Sequence, residues 1–130
     1  MKLRCTHNSL RIRVRKSDLD TLRQQKIVSE SVQFSPQTTL TFSLQIVADS
    51  TQVSATLQQN DITVYLPANI ANTWINTSQV GIEVHQELPE TAQHLHVLIE
   101  KDFPCNDREE EDKADTFWEL AKDPENPNIC

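Results

Sequence analysis

Apolar and polar residues alternate strictly at the start of the chain, in "KLRCT" and "SLRIRVR". A period of two is typical of a β-strand that buries one face. One face carries the apolar residues Leu3, Cys5, Leu10, Ile12 and Val14. The opposite face carries the basic residues Lys2, Arg4, Arg11, Arg13 and Arg15. The pair His7-Asn8 between the two segments predicts a turn, and hence a β-hairpin.

Six further segments alternate in the same way and predict six more strands. They are "VSESVQF", "TTLTFSLQIVA", "VSATLQQ", "ITVYLP", "VGIEVHQ" and "HLHVLIE". Turn-forming residues separate them, as in "SPQ", "ADST" and "QND". The pattern therefore predicts eight strands, each with one apolar and one polar face.

Two segments predict short helices instead. In "SDLDTLRQQK", Ser17 is the expected N-cap, and Asp20 follows three residues later, as in a capping box. In "PANIANTWINT", the proline suits a first helical turn, and Ile70 and Trp74 share a face at a spacing of four. The predicted element order is ββαββ followed by a second ββαββ.

This repeated order is visible in the residues. "NSLRIRVRKSDLDTLRQQKIVSESV" from residue 8 aligns without gaps on "NDITVYLPANIANTWINTSQVGIEV" from residue 60, matching Val28 with Val80 and Val32 with Val84. We predict one α+β domain over residues 1–102, with an internal duplication of about residues 1–50 and 51–102. The mainly antiparallel strands form either an open sheet under the two helices or an eight-stranded barrel with a polar interior.

Charge is distributed very unevenly along this chain of net charge −7. Residues 1–26 hold eight Lys and Arg against two acids, whereas residues 27–100 hold seven acids and no Lys or Arg. Residues 101–130 hold ten acids and four bases, together with three of the seven aromatic residues. The aromatic residues Phe103, Phe117 and Trp118 favour burial, so residues 103–130 are predicted to be an ordered acidic extension packed on the domain.

Composition also excludes several classes of protein. An acidic chain is not typical of nucleic-acid binding, and no stretch approaches the roughly 20 apolar residues of a membrane span. The first residues lack a signal peptide, and three cysteines do not predict a disulfide framework, so a cytoplasmic location is expected. With Gly81 as the single glycine, the chain contains no P-loop, dinucleotide fingerprint or nucleophile elbow. It also lacks C-x-x-C and H-E-x-x-H motifs.

The last predicted hairpin contains the best candidate for a metal site. His94 and His96 lie two apart on one strand, and Glu83 and His85 lie on the polar face of its neighbour. Burial of the apolar face requires pairings such as Val84 opposite Leu95, since a one-residue slip would bury histidines. That pairing predicts a divalent-metal site of His85, His94, His96 and Glu83. A histidine-rich, solvent-facing hairpin without metal is the alternative.

The basic residues of the first hairpin are the second candidate. Lys2, Arg4, Arg11, Arg13 and Arg15 repel one another on adjacent strands, so an anionic group is expected nearby. Guanidinium groups bind phosphate oxygens bidentately, which would suit a phosphate-rich ligand. Neutralisation by the acidic C-terminal segment, or by water, is the alternative.

Two resemblances bear on these candidates. "IEKDFPC" followed by "REEEDKAD" resembles a family of small bacterial proteins of unknown function, which implies a cytoplasmic protein without an established activity. If the start is moved by one strand, the predicted elements form two β-α-β-β-β units, similar to those of the CYTH-like triphosphate tunnel enzymes. That resemblance implies polyphosphate bound by the basic residues and a divalent ion held by Glu83 and Glu100. The E-x-E-x-K signature of those enzymes is missing, since the first strand reads "KLRCT".

Together these features favour a non-catalytic binding or interaction domain over an enzyme. Its partner would be another protein or a second copy that contacts the basic hairpin. The alternative is a metal-dependent hydrolase or binder of phosphate-rich small molecules, with the basic residues holding the ligand and the histidine patch holding the metal.

Overall fold

The computed structural model describes residues 1–103 and residue 117. The elements follow one another as β1 (Lys2–Thr6), β2 (Ser9–Val14), α1 (Lys16–Gln25), β3 (Ile27–Ser35), β4 (Thr38–Val47), β5 (Ser54–Gln58), β6 (Asp61–Pro67), α2 (Ala68–Asn76), β7 (Gly81–Glu87) and β8 (His94–Lys101). The predicted order of ββαββ followed by ββαββ is confirmed, and so is the α+β class.

The eight strands form two separate four-stranded sheets. The first sheet has the strand order β1-β2-β8-β7, and the second has the order β3-β4-β6-β5. Each hairpin is antiparallel, but the central pair of each sheet, β2–β8 or β4–β6, is parallel. The prediction of mainly antiparallel strands is confirmed, whereas the alternative of an eight-stranded barrel is wrong.

Local residues explain why the hairpins form. His7 and Asn8 both have positive φ, at 48° and 59°, which is the geometry of a two-residue type I′ turn. This turn twists in the same sense as the strands, and asparagine tolerates the left-handed conformation better than most residues. The Asn8 side chain also donates a hydrogen bond to the carbonyl of His94, at 2.7 Å. The predicted turn is confirmed, and it contacts the start of β8.

The helices connect the two sheets. α1 joins β2 of the first sheet to β3 of the second, and α2 joins β6 of the second to β7 of the first. Each half of the chain thus places one hairpin in each sheet. Of one pair of valines matched in the alignment, Val28 is buried whereas Val80 is 49% exposed, so the two positions differ in burial. The duplication itself stays a prediction.

In the described part of the chain, one apolar core lies between the elements of both sheets and the helices. The largest fully buried side chains are those of Trp74, Ile12, Leu22, Leu44, Leu66, Ile99, Val14, Val64 and Val97. The predicted inward faces of the first and last hairpins are largely confirmed, although Cys5 is exposed. The polar residues that alternate with these buried positions lie on the outer faces of the sheets.

The N-terminal cap of α1 differs from the prediction. α1 begins at Lys16 with Arg15 as its N-cap, so Ser17 is not the capping residue. The backbone N–H of Arg15 donates to Asp18 Oδ2 at 2.8 Å, and Arg15 Nε lies 3.3 Å from the same oxygen. The amine of Met1 lies 3.0 Å from Asp18 and 3.1 Å from Glu30 on β3. Asp18 is buried, and these donors satisfy its carboxylate.

A side chain connects the two sheets where β7 and β5 are edge strands. The Ala55 N–H donates to Gln86 Oε1 at 2.7 Å, and Gln86 Nε2 donates to the Ala55 carbonyl at 3.1 Å. A glutamine amide thus supplies one donor and one acceptor to a buried residue of the neighbouring edge strand. The contact joins the sheets through one side chain rather than through a strand ladder.

Replacing this glutamine will destabilise the fold. Gln86→Leu leaves both polar backbone groups of Ala55 without these partners, and we expect a loss of about 1–2 kcal/mol in the free energy of unfolding. Urea denaturation followed by circular dichroism measures it. Gln58→Leu, at an exposed position of β5, is the control and should change stability by less than about 0.5 kcal/mol. Equal effects of the two substitutions would contradict the role of Gln86.

No helix among the described residues is long and apolar enough to cross a membrane. Phe117 is 76% exposed, which differs from its predicted burial in the acidic extension. The rest of the extension beyond residue 103 lies outside the described residues. Phe103 is half-buried.

Candidate metal centre on the outer face of the first sheet

The pairing of β7 with β8 decides which polar side chains meet. His85 lies opposite His96, Glu83 opposite Leu98, and Glu87 opposite His94. The expected pairing of Val84 with Leu95 is therefore wrong, since Val84 lies opposite Val97. The observed register differs from the expected one by two residues. A shift of two keeps every side chain on its predicted face and changes only its neighbours.

This register separates the four predicted metal ligands. Glu83, His85 and His96 form a group in which one ligand atom from each residue lies within 4.8 Å of the others. His94 does not belong to this group, because its opposite neighbour is Glu87 rather than His85. We call Glu83, His85 and His96 the hairpin cluster.

The geometry of the hairpin cluster is compact. Glu83 Oε1 lies 2.7 Å from His96 Nε2 and 3.8 Å from His85 Nε2. The two imidazole rings are stacked, with centroids 4.7 Å apart and planes 8° from parallel. Side-chain exposure is 57% for Glu83, 65% for His85 and 33% for His96. The donor atoms therefore converge at the sheet surface, open to solvent.

This donor set is suited to zinc. Two imidazole nitrogens and one carboxylate oxygen bind Zn²⁺ in known catalytic sites and leave the fourth tetrahedral position open. Zinc–ligand bonds of about 2.0–2.1 Å place tetrahedral ligand atoms roughly 3.4 Å apart. The hairpin cluster is close to that spacing, and the two stacked rings would have to turn out of parallel for both Nε2 lone pairs to meet at one ion. Both rings direct Nε2 to the same carboxylate oxygen, and an ion between them would replace these contacts.

The basic residues lie on the same outer face, on β1 and β2. Lys2 Nζ lies 3.2 Å from Asp102 Oδ2, and Arg11 Nε lies 3.3 Å from Glu100 Oε1. Arg13 lies 3.7 Å from Glu100 and 3.9 Å from Asp102, with its guanidinium 5.2 Å from the Phe103 ring centroid. Carboxylates at the end of β8 thus face three of the predicted anion-binding residues.

The other two predicted anion-binding residues differ in position. Arg4 lies opposite Arg11 in the β1–β2 pairing and so shares its face. Arg15 lies beyond the end of β2 and contacts Asp18 and, at 3.7 Å, Glu30. The structure therefore does not bring Arg15 together with the other basic residues, because the chain turns into α1 at that point. An anion site on Lys2, Arg4, Arg11 and Arg13 stays a prediction.

Sequence reasoning expected an anionic group near the basic residues but did not pair them with Glu100 and Asp102. Glu100 and Asp102 meet β2 because β8 pairs with β2 in parallel, placing Arg13 opposite Glu100. The alternation along β8 was the available signal, because it places Glu100 on the same polar face as His94 and His96. Which strand lies beside β8 is not visible in a local pattern.

No curated protein and no solved structure gives a significant match to this chain. A family model does match, over residues 1–120. The match agrees with the resemblance to proteins of unknown function, whereas the resemblance to triphosphate tunnel enzymes is not confirmed. The chain belongs to the family described as "Family of unknown function (DUF7009)".

Proposed function

We propose that this protein is a zinc-binding domain whose metal site is the hairpin cluster. The observation that carries the proposal is the convergence of Glu83, His85 and His96, with ligand atoms within 4.8 Å of one another. Two neutral imidazoles and one carboxylate would leave a bound Zn²⁺ ion with one net positive charge. An open fourth position would then accept water or a ligand atom.

The exposure of the cluster favours binding over catalysis. Catalytic sites stabilise developing charge in a water-excluded environment, where electrostatic interactions are strong. Glu83 and His85 are both more than half exposed on an open sheet face. We therefore propose a non-catalytic binding domain, and we retain the cytoplasmic location predicted from the sequence as part of this proposal.

Zinc titration by isothermal calorimetry tests the proposal. We expect one Zn²⁺ ion per chain, and a loss of affinity of about 100-fold or more for His85→Ala and for His96→Ala, since each removes a direct ligand. His94→Ala is the matched control, because His94 lies on the same strand and face but outside the cluster. Its zinc affinity should equal that of the unchanged protein.

Two further measurements make the result specific. Co²⁺ should give the intense visible absorption of a tetrahedral site, and this absorption should be lost in His96→Ala. Glu83→Gln keeps the size of the side chain but removes its charge, so it should also weaken zinc binding. Equal zinc affinity for His94→Ala and His96→Ala, or the absence of zinc binding, would refute the proposed site.

A further inference from the structure

A row of three side chains connects the basic residues to the hairpin cluster. The pairing of β2 with β8 places Arg11 opposite Leu98, and the pairing of β8 with β7 places Leu98 opposite Glu83. Neighbouring strands are about 4.8 Å apart, so the β2 and β7 backbones are separated by roughly 10 Å. Leu98 lies between a guanidinium and a carboxylate and offers no polar group to either.

Arg11 has a carboxylate partner on the strand next to its own. Its Nε lies 3.3 Å from Oε1 of Glu100, on the neighbouring strand β8. Glu100 itself lies opposite Gly81, which has no side chain on β7. The Arg11 side chain is 36% exposed and is therefore accessible to a ligand from solvent. A ligand atom above Leu98 would lie between Arg11 and a metal in the cluster.

The local charge favours a dianion at this position. The cations Lys2, Arg11 and Arg13 share the two carboxylates of Glu100 and Asp102, which leaves one positive charge among these five groups. A zinc ion with the Glu83 carboxylate as a ligand would add a second net positive charge. A phosphate group carries between one and two negative charges at neutral pH, with oxygens that suit both a metal and a guanidinium fork.

We propose that the zinc-loaded protein binds a phosphate group between the metal and Arg11, above Leu98. One phosphate oxygen takes the open coordination position of the zinc ion, and others accept hydrogen bonds from the Arg11 guanidinium. The ligand class is inorganic phosphate or a small phosphate monoester. This inference rests on the proposed zinc site and names the ligand of that site.

Calorimetric titration of the zinc-saturated protein tests the inference, with inorganic phosphate and phenylphosphonate as probes. Phenylphosphonate represents an ester, because it carries an organic group and resists hydrolysis. We expect phosphate binding to weaken by about tenfold or more in Arg11→Gln, at saturating zinc, because charge-assisted hydrogen bonds are lost. Arg23→Gln is the matched control, since Arg23 lies on α1 and pairs with Asp20.

The outcomes separate this inference from the zinc site itself. Absence of zinc binding, seen before any phosphate is added, would refute the proposed function. Zinc binding without phosphate binding, or equal phosphate affinity for Arg11→Gln and Arg23→Gln, would overturn only the inference. Binding of inorganic phosphate alone would support a free-phosphate site, and binding of both probes would support a monoester site. Equal phosphate binding without zinc would also overturn the inference.

Discussion

Trp74→Ala should lower the free energy of unfolding by about 3–5 kcal/mol, the usual cost of removing a large aromatic side chain from a core. Trp74 is fully buried on α2 and is the largest fully buried side chain described. Its indole Nε1 donates to the Val80 carbonyl at 3.1 Å, just before β7. Trp74→Ala also removes this hydrogen bond between α2 and the residue that precedes β7. Domains of this size have a total stability of about 5–15 kcal/mol, so the loss is a large part of it.

Urea denaturation followed by far-ultraviolet circular dichroism measures this loss. Trp74→Phe is the matched control, because it keeps an aromatic ring and removes the indole N–H. The Val80 carbonyl also accepts a hydrogen bond from the Lys101 N–H at 2.9 Å, so it keeps one donor in this variant. We expect Trp74→Phe to be clearly less destabilising than Trp74→Ala. A loss below about 1 kcal/mol for Trp74→Ala would contradict the central position of Trp74 in the core.

Asp18→Ala should lower the free energy of unfolding by about 2–3 kcal/mol at neutral pH. The buried carboxylate accepts hydrogen bonds from the Arg15 backbone and side chain and lies 3.0 Å from the Met1 amine. Removing the carboxylate leaves the Arg15 N–H at the start of α1 without this acceptor and leaves the Met1 amine with Glu30 alone. Thermal or urea denaturation measures the loss. Asp20→Ala is the control, because Asp20 lies on the same helix but is exposed.

The contribution of Asp18 should also depend on pH. Burial alone would raise the pKa of Asp18, but the hydrogen bonds from Arg15 and the amine of Met1 outweigh burial and lower it. A carboxyl with a lowered folded pKa stabilises the fold fully above its unfolded pKa of about 3.9. This stabilisation is lost as the pH falls through the folded pKa. The difference between the unchanged protein and Asp18→Ala should therefore be largest near neutral pH and should shrink below about pH 4.

Unfolding measurements over a range of pH check this expectation. Asp20→Ala should follow the unchanged protein across the same range. A difference between the unchanged protein and Asp18→Ala that grows as the pH falls would contradict the lowered pKa of Asp18. A constant difference would mean that the side chain contributes without its charge.

The candidate metal ligands show what the alternation of apolar and polar residues can predict and what it cannot. Period-two alternation placed Glu83, His85, His94 and His96 on the polar face of one hairpin, and the structure has them there. It did not choose between pairings two residues apart, since both bury the same apolar side chains. The observed register brings His96 rather than His94 to His85. The length of the β7–β8 connection and the packing of the whole sheet decide between such registers.

The environment of the basic residues shows the same limit. Alternation placed Lys2, Arg4, Arg11 and Arg13 on one face, and repulsion among them predicted a nearby anionic group. That Glu100 and Asp102 lie within reach follows from the parallel β2–β8 pairing, between strands about 87 residues apart. Arg15 was misplaced because alternation continues through it, whereas the backbone has already turned to begin α1.

By itself, the order of residues determined the eight strands, the two helices, the first turn and the face on which most side chains lie. These features depend on interactions between residues close in sequence, which the period of the apolar residues and the conformational preferences of turn-forming residues reflect directly. Only the tertiary structure decided that the strands form two sheets rather than a barrel, that a parallel pair lies at the centre of each, and that Glu83, His85 and His96 converge. Those outcomes depend on how segments that are distant in sequence pair with one another. Many different pairings would bury the same faces of the strands, and the close packing of one shared core selects among these pairings.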